Sequence, residues 1–246
     1  IISLNDQEAT KTNILVALSR LAGSSEEFPP GTPTKLQQLK PAQPEDTVVI
    51  FYAGHGTAQG QRFYLVPTDL GYAGDRTSVD AASLRTILAH SISDEELERA
   101  VEGLDAGNLL MVIDACNSGQ ALEAEEKRRG PMNSKGLAQL AFEKGMYILT
   151  AAQAYQAALE AAQLGHGYLT YALVEEGLKT MAADRAPKDN LVLVREWFDS
   201  GIQRVPEMQE AKLKSSRDMN VNRIILVGAA TIKEKGRGIQ RPRAFY

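Results

Sequence analysis

Two unbroken apolar runs, TVVIFYAG at 47–54 and NLLMVIDAC at 108–116, constrain this chain more than any other feature. A strand with one wet face alternates polar and apolar residues. A run without alternation reads as a strand covered on both faces, as in a parallel sheet. Parallel neighbours need crossover connections, usually helical, and helical patterns do separate the runs of this chain. The expected fold class is therefore α/β, a mainly parallel central sheet flanked by helices on both faces.

The remaining elements follow the same logic. IISL at 1–4 is a short apolar run. Asn5 and Glu8 resemble a capping box, and Ile14, Leu15, Leu18 and Leu21 recur at helical spacing until Gly23 stops the helix. Residues 24–45 are rich in Pro and Ser and read as a loop. RFYLVPTD at 62–69 is a short strand ended by Pro67. Residues 91–107 give the clearest helix: Ser93 and Glu96 form a capping box, and Leu97, Ala100, Val101 and Leu104 make an apolar stripe. Further along, helices are expected over LAQLAFEK, YLTYALVEEGLK and VREWFDSGI, and strands over GMYILTAA and NRIILVGAA. The basic tail QRPRAFY reads as exposed surface. In sheets of this kind ligands bind at the carboxyl ends of the strands.

Composition excludes several classes. The net charge of −4 gives no basic footprint for nucleic acid. No apolar run approaches the roughly 20 residues of a membrane helix. The single cysteine excludes an intrachain disulfide and a Cys-rich zinc site, and it fits a reducing compartment; a cytoplasmic location is the expectation.

The same cysteine is the chief candidate for chemistry. His55, one of 3 histidines, follows the first buried run between Gly54 and Gly56; Cys116 ends the second, in the setting DACNSG. Asp, Asn, Ser and Gly form turns rather than cores, so the thiol is expected at a loop, where a lowered pKa makes it reactive. Both residues are expected at strand carboxyl ends, on a shared edge if the strands are neighbours.

YAGHG followed 61 residues later by the cysteine of DACNSG resembles the caspase-like cysteine proteases, of the bacterial metacaspase or orthocaspase type. The resemblance continues through YLVPTD, ILTAAQAYQAALE and GHGYLTYAL. It implies a single caspase-like (caspase–hemoglobinase) domain over 1–246. It also implies an endopeptidase in which His55 takes the proton of Cys116 and the backbone N–H groups of Gly56 and Cys116 form the oxyanion hole. Gly54 and Gly56 would then let the backbone approach the substrate. Caspases that cut after Asp carry Gln two residues before the nucleophile, whereas metacaspase-like enzymes carry Asp and cut after Arg or Lys. Asp114 occupies that position here and is the expected substrate-binding carboxylate. Its alternative role is to cap a turn.

Three more expectations come from the resemblance. Residues 123–135 fall where caspases are cut into large and small parts, and Lys127, Arg128 and Arg129 are candidate self-cleavage sites. Family members begin with an apolar strand and a segment carrying a second pocket acid, which this sequence lacks. An upstream fragment or a partner chain is therefore expected to complete the sheet beside VVIFYAG. No cofactor or metal is expected; calcium activates many metacaspases, but no oxygen-ligand loop stands out.

Other readings compete. A catalytically idle caspase-like scaffold would need neither His55 nor Cys116. A caspase-like protease could select a different residue before the cut. An acyltransferase or serine hydrolase on a similar plan would need a G-x-S-x-G elbow, and a dinucleotide fold a G-x-G-x-x-G after its first strand; neither is present there. Papain-like enzymes place Cys before His at much longer spacing, so His166, 50 residues after Cys116, is a poor base. His90 sits in a polar stretch and reads as a surface residue.

Overall fold

The computed structural model describes residues 1–59, 62–74, 79–117, 141–142, 145–151, 160–161, 166–219 and 241–246. The expected processing loop at 123–135, with Lys127, Arg128 and Arg129, lies outside the described residues, as does the strand expected over NRIILVGAA.

Among the described residues six strands form one sheet: β1 (Thr47–Gln59), β2 (Arg62–Val66), β3 (Ile92–Ser93), β4 (Asn108–Asn117), β5 (Tyr147–Thr150) and β8 (Arg243–Phe245), in the order β3-β2-β1-β4-β5-β8. The two apolar runs are the neighbours β1 and β4, and they pair in parallel, as β4 does with β5. The wings β2, β3 and β8 are antiparallel. Two short strands, β6 (Glu160–Ala161) and β7 (His166–Gly167), pair apart from the sheet.

Helices cover both faces. On one lie α1 (Lys11–Leu21) and α3 (Asp94–Glu102), whose Leu18, Leu97 and Val101 pack with Met111, Ile113 and Ile148. The Ser93–Glu96 capping box is fully formed, with Ser93 Oγ accepting from Glu96 N and Glu96 Oε2 accepting from Ser93 N. Gly23 takes the left-handed conformation, φ 89°, just past α1. At the other end of α1 the expectation fails. Asn5 makes no side-chain cap; Asp6–Glu8 is a separate 3-10 turn, and Thr10 caps α1 by accepting from Asn13 N. IISL forms no strand. Helix α2 (Ala81–His90) leads into β3 and is capped by Asp80.

On the other face a short helical turn, α4 (Tyr168–Thr170), continues as a π-helix (Tyr171–Lys179) that packs against α5 (Val194–Met219). The helix expected over VREWFDSGI is in fact the start of α5, which runs on through Pro206. Gly201 gives Leu173 room to pack, since a Cβ there would stand 2.9 Å from Leu173 Cδ2. Trp197 Nε1 donates to the Leu173 carbonyl at 2.9 Å, and the Arg204 guanidinium forks onto the Glu176 carboxylate, so α5 clamps the π-helix. The basic tail is also more than surface. Its RAF segment is β8, pairing with β5, and Tyr246 packs edge-on against Tyr147.

One further expectation is corrected. β1 is not covered on both faces. Val48, Ile50 and Tyr52 pack toward the core, whereas Val49 and Phe51 on the opposite face are 54% and 44% exposed. Among the described residues, the helices of that face cover Val112 and Leu149 on β4 and β5 and do not reach Val49 or Phe51 of β1.

Candidate active site

The sheet brings the two candidate residues together. In the parallel ladder of β1 and β4 His55 is in register with Cys116, and Gly56 with Asn117. Adjacent strands lie about 4.8 Å apart, so residues in register are immediate neighbours. Cys116 is the penultimate residue of β4, at the carboxyl end where sequence reasoning placed it but within the strand rather than at the expected loop. His55 is not at the carboxyl end of its strand, however. β1 continues to Gln59 and folds back as β2, which pairs His55 with Val66 and Gly56 with Leu65. His55 is thus set in a three-strand environment, exposed on one sheet face and flanked on both sides by backbone.

The neighbouring glycines have local reasons. A Cβ at Gly56 would lie 2.9 Å from the buried Phe63 ring and 3.3 Å from Ala115 Cβ. A Cβ at Gly54 would lie 3.0 Å from Tyr52 Oη. Both positions point to the core-side face, opposite His55, so their small size serves packing under the site.

Asp114 stands two residues before Cys116, in register with Ala53 and on the same sheet face as His55. It is 7% exposed. One carboxylate oxygen, Oδ2, accepts from Thr170 N at 3.1 Å and from the Thr170 hydroxyl. Those donors belong to the first turn of α4, whose unpaired N–H groups and dipole favour a negative charge. Gly167, the residue before that turn, is closely opposed: a Cβ there would stand 2.7 Å from Oδ2. Sequence reasoning missed Thr170 and Gly167. The available signal was GHGYLT, a glycine directly before a helical pattern.

The other histidines lie elsewhere. His90 is exposed at the end of α2, its Nδ1 2.9 Å from the Thr86 carbonyl. His166 is in β7, in register with Ala161. Among the described residues no group of three or more His, Cys, Asp or Glu could hold a metal ion, and no helix is long and apolar enough to cross a membrane.

A parallel sheet centre with helices on both faces, and a histidine paired in register with the cysteine at the end of the adjacent strand, is the plan of a caspase-like α/β protein. The model of the caspase domain matches residues 33–216, and the chain belongs to that family. No curated protein matches it. Membership makes it a protein of the cysteine-peptidase type, whose substrates are peptides or proteins.

Proposed function

We propose that the protein is a cysteine endopeptidase of the metacaspase or orthocaspase type that cleaves after Arg or Lys. The observation that carries this reading is the in-register pairing of His55 with Cys116, with Asp114 on the same face. His55 takes the thiol proton, and the thiolate attacks the peptide carbonyl. The backbone N–H groups of Gly56 and Cys116 hold the oxyanion. As the C–N bond breaks, the imidazolium returns its proton to the leaving amine, and water then hydrolyses the thioester. The Asp114 carboxylate receives the cationic side chain before the cut. The chemical step requires no cofactor.

Two other elements complete the reading. Lys127, Arg128 or Arg129 is the self-cleavage site, which the same specificity would recognise. A further strand, from an upstream segment or a partner chain, lies along residues 47–54. Among the described residues that stretch pairs only with β4, because β2 reaches no further than His55.

One observation favours a second reading, in which the residue before the cut is not basic. Asp114 is buried and its Oδ2 is already engaged by Thr170, a position that suits a structural cap. A panel of fluorogenic peptides differing only at the residue before the cut, assayed with and without calcium, separates the two. The main reading requires turnover of the Arg and Lys peptides well above all others. A preference for Asp or an apolar residue overturns it.

A further inference from the structure

We infer that Tyr52 is a positioning residue for the base: its single hydroxyl hydrogen, shared between the backbone carbonyls of His55 and Val66, ties the two strands together there and so fixes where the imidazole stands. The inference rests on the His55–Cys116 reading. Tyr52 and His55 are on opposite faces of β1, so the phenol does not reach the substrate side. Its oxygen instead extends beneath Gly54 to lie 2.9 Å from the His55 carbonyl and 2.8 Å from the Val66 carbonyl.

The location is a weak point of the sheet. His55–Val66 is the first pair of the β1–β2 ladder, and the residue after Val66 is Pro67. Proline has no N–H, so Pro67 cannot donate to β1 past this pair. The phenol supplies a donor at the end of the ladder where Pro67 cannot. Burial pushes its pKa well above the ordinary tyrosine value, which keeps the proton on the oxygen throughout any working pH range. Gly54 leaves the phenol its place, since a Cβ there would come within 3.0 Å of the hydroxyl and 3.2 Å of Cζ and push the ring aside by a few tenths of an ångström. The glycine before the histidine is therefore explained by the phenol beneath it, independently of any substrate.

Tyr52→Phe removes only the hydroxyl. Small errors in the placing of a catalytic group cost one to two orders of magnitude in rate, so kcat should fall about tenfold. KM should stay within about twofold, as expected when only a transition-state interaction is lost. Cys116 is the sole cysteine, so its alkylation by iodoacetamide reports this site alone. In Tyr52→Phe the alkylation rate at mildly acidic pH should drop toward that of His55→Ala, a change that a purely structural role would not produce. Gly54→Ala should reproduce both effects, and the double variant should be no worse than either single one. If Tyr52→Phe fails to fold, Gly54→Ala decides the question. Wild-type kcat and alkylation profile in the folded variant, with His55→Ala inactive, overturn the inference and leave the dyad standing. An active His55→Ala removes the dyad and this inference with it.

Discussion

Thr170 holds one carboxylate oxygen of Asp114 twice, through its backbone N–H at 3.1 Å and through its hydroxyl. The carboxylate that the proposed function assigns to the substrate is thus also part of the structure that starts helix α4. Charge and hydrogen-bond capacity can be separated by substitution. Asp114→Ala leaves two donors without an acceptor and should cost about 1–3 kcal/mol in urea unfolding. Asp114→Asn keeps an acceptor and should cost less than the alanine change. Both should lower kcat/KM for Arg and Lys peptides by about 2–5 kcal/mol, the cost of removing one partner of a buried charge pair. Gly167 has an ordinary backbone, φ −60°, so Gly167→Ala adds only a methyl group pressed against Oδ2. It should impair the same substrates selectively. Unchanged Arg and Lys turnover in Asp114→Asn would leave Asp114 as a helix cap alone.

The open side of β1 makes a second prediction. Val49 and Phe51 are exposed on a strand that pairs on one side only over residues 47–54, among the described residues. Unpaired backbone on an apolar strand invites another strand. Hydrogen exchange across 47–54 should be fast at the outward-facing amides of residues 1–246 alone and should slow when an upstream segment or partner chain is present. Protection equal to that of β4 in residues 1–246 alone would show that nothing is missing there.

Self-cleavage is tested by intact mass. Wild-type protein should yield two fragments divided after Lys127, Arg128 or Arg129. Cys116→Ala should remain a single chain, as should a triple Gln variant of the three basic residues. A fragment boundary elsewhere, or cleavage of the Cys116→Ala protein incubated alone, contradicts the assignment.

The parts of the fold that local chemistry dictates were legible in the sequence. The Ser93–Glu96 box is written within four residues, and the apolar runs at 47–54 and 108–116 announce β1 and β4. The place of Cys116 near the end of its strand followed from those runs, whereas its pairing with His55 depended on β1 and β4 being neighbours, which the sequence left open. What failed depends on distant partners. Nothing in TVVIFYAG tells a covered face from an open one, because that depends on how far the helices of the second face extend. Asp6–Glu8 and α1 are divided by Thr10, a better placed cap than Asn5. RAF is too short to carry a strand pattern and is a strand only because β5 offers it an edge. Thr170 and Gly167 reach Asp114 across 56 and 53 residues of sequence, so their roles become visible only in three dimensions.

The central claim is that His55 and Cys116 act as one unit, and activity of the two single variants and the double variant tests it most directly. With an Arg peptide as substrate, His55→Ala and Cys116→Ala should each abolish turnover while keeping the wild-type unfolding transition. The double variant should be no worse than either, because groups that act as a unit are not additive. Near-wild-type turnover in either folded single variant would contradict the account.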